Sequence, residues 1–70
     1  MKLNKQEQTV VIGLINNFIG LDLVQQHIEP QKLKKAIDMH IETSDDMTPK
    51  QMREALISVL DKTIDEFLKA

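Results

Sequence analysis

The chain has no cysteine, no tryptophan and no tyrosine, and only two phenylalanines, two glycines and two prolines. Without cysteine there are no disulfides and no thiolate metal sites. The two histidines, His27 and His40, are too few for a structural zinc centre. With Phe18 and Phe67 as the only aromatic rings, base stacking of the kind that single-stranded nucleic-acid readers use is disfavoured. No run approaches the roughly 18 uninterrupted apolar residues of a membrane span. The opening MKLNKQEQ lacks the apolar centre and small-residue cleavage site of a signal peptide, so a cytoplasmic setting is expected. Neither sign of charge dominates: nine basic and eleven acidic side chains leave a net charge of −2, with no general pull toward phosphate backbones or anionic membranes.

What is present is enough apolar material to fold. Hydrophobic residues make up 41% of the 70, which argues against disorder. A chain of this length makes one domain at most and is marginal alone. With disulfides and metal removed from the usual remedies, association with another chain is the one left.

The pattern is helical throughout. A first helix is expected over about 4–19, with Val10, Val11, Ile12, Leu14, Ile15, Phe18 and Ile19 covering an arc of roughly 200°. Thr9, Gly13, Asn16 and Asn17 occupy the rest of its surface. The stretch TVVIGLI could equally be a buried strand on periodicity. No second strand is available to pair with it, so helix is preferred. Gly20 suits a helix end that needs positive φ. Asp22 can cap a short helix over 22–28, which Glu29-Pro30 interrupts. A third helix, 30–42, starts at the proline and directs Leu33, Ala36, Ile37, His40 and Ile41 to one face. Residues 43–47 read as a polar loop. Thr48, Pro49 and Gln51 then form a capping-box start for the longest helix, 49–68. Its expected core stripe is Met52, Ala55, Leu56, Val59, Leu60, Ile64 and Phe67, which Ile57 and Leu68 widen to roughly 220°. Asp65 and Lys69 are placed to pair one turn apart. The expected fold class is all-α: a compact bundle of three to four helices, the last longest.

A helix on the surface of a monomer usually shows an apolar stripe of about 100° or slightly more. The first and last helices carry nearly twice that, and a chain of this length wraps both only with difficulty, the alternative being that both pack centrally and against each other. Part of one of them is expected to face another chain, a two-fold dimer being the commonest such arrangement.

Chemical motifs are few. Lys32, Lys34 and Lys35 crowd the start of the third helix, and the short helix before it completes a helix-turn-helix outline. The usual turn glycine and any arginine in that helix are missing, and the chain is acidic overall, so nucleic acid is a runner-up partner. Acidic residues gather at Glu42, Asp45 and Asp46 and along the last helix at Glu54, Asp61, Asp65 and Glu66. Asp45 and Asp46 would also suit the dipole of the helix that follows them. A calcium loop is not matched, and no metal or other cofactor is expected. Met39 and Met47 read as gap-fillers or as adaptable contact points. No Gly-rich phosphate loop or nucleophile elbow occurs near Ser44 or Ser58, and so short a chain leaves little room for a catalytic pocket.

The expectation is therefore a non-enzymatic regulatory module that binds another protein. Asp45, Asp46, Glu54, Ile57, Asp61, Asp65 and Leu68 are its candidate contact residues. Its most specific form is an antirepressor covering the DNA-binding surface of a basic transcriptional regulator. The alternatives are a DNA-binding protein using Lys32, Lys34 and Lys35, and a structural subunit of a larger assembly.

Overall fold

The computed structural model describes residues 1–69, and every regular element among them is a helix: α1 Lys5–Ile19, α2 Leu21–His27, α3 Pro30–Asp45 and α4 Pro49–Lys69. The class is all-α with the last helix longest, as the periodicity required.

Each start has a local cause. Asn4 and Glu7 form a reciprocal capping box, each side chain accepting from the other's backbone N–H at 2.8 Å. Thr48 and Gln51 do the same for α4, at 2.9 and 3.1 Å. Glu29 precedes Pro30 and accepts from the N–H groups of Gln31 and Lys32, satisfying two donors that the first turn of α3 leaves free. Gly20 adopts φ +95, the left-handed region that glycine enters without strain, so α1 passes into α2 across one residue.

Several expected boundaries shift. Asp22 is not a cap: α2 begins at Leu21, and Gly20 precedes it with no side-chain cap. The supposed loop 43–47 is mostly helix, because α3 continues to Asp45. Ser44 lies within the helix, its hydroxyl donating to the His40 carbonyl at 2.7 Å. Asp45 therefore closes a helix instead of preceding one, where the dipole disfavours a carboxylate. The one-turn ion pair that closes on α4 is Lys50–Glu54 at 4.0 Å, not Asp65–Lys69.

Helix α1 is the spine, and α2, α3 and α4 all pack on it. Met1 meets Glu66, Lys2 meets Lys62 and Glu7 meets Ser58, so the chain rises along one helix as it descends the other and α4 runs antiparallel to α1. Against α3, α1 presents Thr9, Gly13 and Asn16, the polar and small-residue side that was expected to face solvent. Thr9 is buried, its hydroxyl satisfied by the Lys5 carbonyl, while Gly13 and Asn16 are half-buried or more open. Gly13 is what brings α3 close. A Cβ there would lie 2.8 Å from His40 Cε1, so the His40 ring occupies the room that a side chain would need. His40 is thus packed, as its place on the stripe implied, with Nδ1 buried and unpartnered.

Buried apolar residues number only three among those described: Leu33, Met47 and Ala55. Met47 is a gap-filler, whereas Met39 lies exposed on α3. Of the stripe expected on α4, Met52, Ala55 and Val59 face inward, and Leu56, Leu60, Ile64 and Phe67 do not. Ile41 of the α3 stripe is likewise outside. The result is a flat body of 34 × 31 × 19 Å. Its radius of gyration is 13.1 Å, against about 11 Å for a compact chain of this length.

Candidate functional site

The polar cluster with most convergence lies where α1 crosses α4. Glu7 has 1% of its surface exposed. Its carboxylate accepts from Ser58 Oγ at 2.5 Å, from Lys62 Nζ at 2.7 Å and from the Asn4 backbone N–H at 2.8 Å. The backbone N–H of Asn4 is the largest of the influences holding its carboxyl at about 2, below the ordinary 4.5; the Lys62 and Ser58 hydrogen bonds follow, and burial opposes them. A serine four residues before a lysine could suggest a nucleophile and its base. Here the Ser58 proton is directed at Glu7, and the Lys62 ammonium is paired with the same carboxylate and with the Lys2 carbonyl at 3.0 Å. The cluster acts as a tie between two helices. Its members lie 51 and 55 residues apart, so no local pattern signals it; only the Asn4–Glu7 half was legible, as an N-x-x-E capping box.

Apolar surface is the larger feature. Sixteen large hydrophobic side chains are exposed among the described residues, against two buried ones, Leu33 and Met47. On α4, Leu56, Ile57, Leu60, Ile64, Phe67 and Leu68 fall within about 120° of one another around the axis. Phe67 and Leu68 are 77% and 75% exposed. On α1, Leu14, Ile15, Phe18 and Ile19 are outside, with Phe18 at 91%. Leu14 and Leu56 line one groove of about 410 Å³ between α1, the end of α3 and the start of α4, so the apolar surfaces of the two long helices adjoin there. A second groove, of about 550 Å³, lies between α1, α2 and the first half of α3. Ile12, Ile15, Ile19, Leu23, Val24 and Ile28 line most of it, with Asn16 and His27 its polar side chains. Ligand pockets for small metabolites add several convergent polar groups to such a lining. This one suits an apolar occupant.

The expected contact residues divide into two places. Ile57 and Leu68 belong to the exposed stripe of α4. Glu54, Asp61 and Asp65 are exposed along one margin of it, within an arc of about 40°. Asp45 and Asp46 do not join them. They sit at the end of α3, and α4 must run about 18 Å from its start to reach Asp61. No group of three or more His, Asp or Glu side chains among the described residues is arranged to hold a metal ion.

Lys32, Lys34 and Lys35 are placed on α3, Lys32, Lys34 and Lys35 all being exposed. The start of that helix, where a recognition helix meets bases and phosphates, is capped by the Glu29 carboxylate. A negative charge already occupies the backbone donors that a phosphate would use.

No protein-family model, curated protein sequence or solved structure matches the chain. No helix among the described residues is long and apolar enough to cross a membrane.

Proposed function

We propose that the chain is a non-catalytic protein-interaction module, working through apolar surface that its own fold leaves uncovered. The observation that carries this reading is the imbalance of sixteen exposed large hydrophobics to two buried ones, Leu33 and Met47, among the described residues. A monomer rarely leaves a contiguous apolar patch larger than a few hundred Å² unless something binds it. The main buried polar cluster is occupied in holding α1 to α4, which leaves it no evident catalytic task.

The margin of Glu54, Asp61 and Asp65 favours a basic partner, since complementary charge speeds encounter and fixes orientation. In its most specific form the module is a regulator that covers the basic DNA-binding surface of a transcription factor. DNA itself is the weaker reading, because Glu29 blocks the start of α3.

Two charge-reversed baits test this in a pull-down from the native host. One carries Glu54→Lys, Asp61→Lys and Asp65→Lys; the other carries Lys32→Glu, Lys34→Glu and Lys35→Glu. A basic protein held by wild type and by the lysine-reversed bait, but lost from the acid-reversed one, is the expected outcome. Retention on DNA that nuclease removes and lysine reversal abolishes would overturn the proposal.

A further inference from the structure

We infer that the outward stripe of α4 is the interface for a second copy of this chain, the two α4 helices lying antiparallel. This rests on the reading of the chain as an interaction module and divides its surface: the apolar seam of α4 for self-association, the acidic margin beside that seam and the groove between α1, α2 and α3 for the foreign partner.

The spacing of the stripe comes first. Ile57, Leu60, Ile64 and Phe67 follow one another at intervals of three, four and three residues, the a/d pattern of a helix that packs along another helix. Ala55, Ser58, Val59 and Lys62 point to α1, about 170° round the same helix. The a/d seam is therefore not the face that holds α4 in its own fold. Two faces of one helix are built for packing, and the chain supplies an occupant for one.

The area needed agrees with a dimer. The chain exposes 5733 Å², where the surface–mass relation for compact monomers gives about 4,450 Å² at this mass. The surplus is about 1,300 Å² per chain, shared between the α4 stripe and the groove; half of it on α4 gives about 1,300 Å² between two copies, within the standard range for specific interfaces.

With three buried apolar residues, covering this stripe is part of what makes the fold stable. The covering chain must then be present whenever the protein is, in equal number, and a second copy meets that condition without regulation. A two-fold contact also needs only one self-complementary patch.

Charge selects the direction. Arg53 continues the seam toward the start of α4, while Asp61 and Asp65 border its later half. Parallel pairing would set Arg53 against its own copy. Antiparallel pairing separates the two Arg53 side chains to opposite ends of the contact, and like charges brought face to face oppose association.

The test uses the purified chain alone, so it fails or succeeds independently of the pull-down. Sedimentation at about ten micromolar should give twice the 8.0 kDa chain mass. Leu60→Glu with Ile64→Glu should shift the mass to that of one chain. That variant could unfold, so cross-linking provides a second readout. The chain lacks cysteine, so Asp61→Cys, beside the seam, should oxidise to a disulfide-linked dimer, and Lys34→Cys on α3 should not. A single-chain mass for wild type at about a hundred micromolar would overturn the inference. So would a dimer that cross-links through position 34 and not through position 61. Either result would leave the foreign-partner reading to stand or fall on its own experiment.

Discussion

Replacing Gly13 with alanine sets two opposed effects against each other, and the structure decides which prevails. In an exposed helix interior the change should stabilise by about 0.5–1 kcal/mol, because glycine loses more backbone freedom on folding. Here the new Cβ would stand 2.8 Å from His40 Cε1 and 3.3 Å from His40 Nε2. Ordinary contact begins near 3.4 Å, so either the ring turns out of the α1–α3 contact or the helices separate by several tenths of an ångström. Overpacking of this kind costs about 1–3 kcal/mol. The net for Gly13→Ala is a loss of about 1 kcal/mol, some 4–8 °C in melting temperature for a domain of this size. The decisive measurement is a double-mutant cycle with His40→Ala, read by urea unfolding at one fixed protein concentration. With the ring gone the clash goes too, and the Gly13→Ala change should then stabilise by the propensity term. The coupling between the two positions should be about 1.5–2 kcal/mol. If Gly13→Ala stabilises the wild-type background, or shifts both backgrounds equally, the close approach of α3 to α1 is not what glycine serves at this position.

The remaining predictions address the ties at the helix starts. Glu7 titrates at about 2 in the fold and near 4.5 when free. A depressed carboxyl contributes stability that is complete above about 4.5 and is lost as pH falls toward 2. Glu7→Gln should therefore flatten the fall in urea midpoint across that window, and a variant whose acid profile parallels wild type would refute the tie. Thr48→Ala removes the hydroxyl that accepts from Gln51 N and should cost about 1 kcal/mol in thermal unfolding; an unchanged melting temperature would mean the α4 capping box contributes nothing.

How much could be read from the sequence divides along local and non-local lines. The capping box at Thr48–Gln51, the positive φ at Gly20 and the proline at the start of α3 are all local, and each stands where its pattern placed it. The end of α3 was misplaced because Thr43-Ser44-Asp45 resembles a loop by composition. Inside the helix the Ser44 hydroxyl is satisfied by a carbonyl four residues back and so does not compete for the backbone, which composition does not reveal. The faces of α1 were partly exchanged for a different reason: Thr9 is buried and Leu14, Ile15, Phe18 and Ile19 are outside, while Val10, Val11 and Ile12 stay half-buried and Asn17 exposed. A helical wheel reports where apolar residues cluster, not which sector meets a neighbour in the same chain. When Thr9, Gly13 and Asn16 permit a closer approach than Leu14 or Phe18 would, the small side can turn inward and the apolar side outward. Glycine at the centre of that sector was the available signal. The apolar excess itself was legible, because it is a sum over residues and does not depend on which neighbour takes which face. The tie between Glu7 and Ser58–Lys62 was not legible, because it depends on how α4 returns across α1.

These features have a common consequence for how the chain could have come to bind others. A helix that packs internally through small and satisfied polar groups releases its large hydrophobics from the task of holding the fold. In α1, Thr9 and Gly13 set the distance to α3, and the Glu7 tie sets the position of α4. Leu14, Ile15 and Phe18 are then free to change with little effect on that internal geometry, since they touch few of the atoms that establish it. In α4 the same separation appears around the axis, with Ala55, Ser58 and Lys62 on one side and Ile57, Leu60, Ile64 and Phe67 on the other. Specificity for a partner can thus be altered on the outer stripes while the inner contacts stay fixed. The cost of that freedom is a fold whose apolar interior is too small to be comfortable alone, and under the proposed function association would supply stability as well as activity.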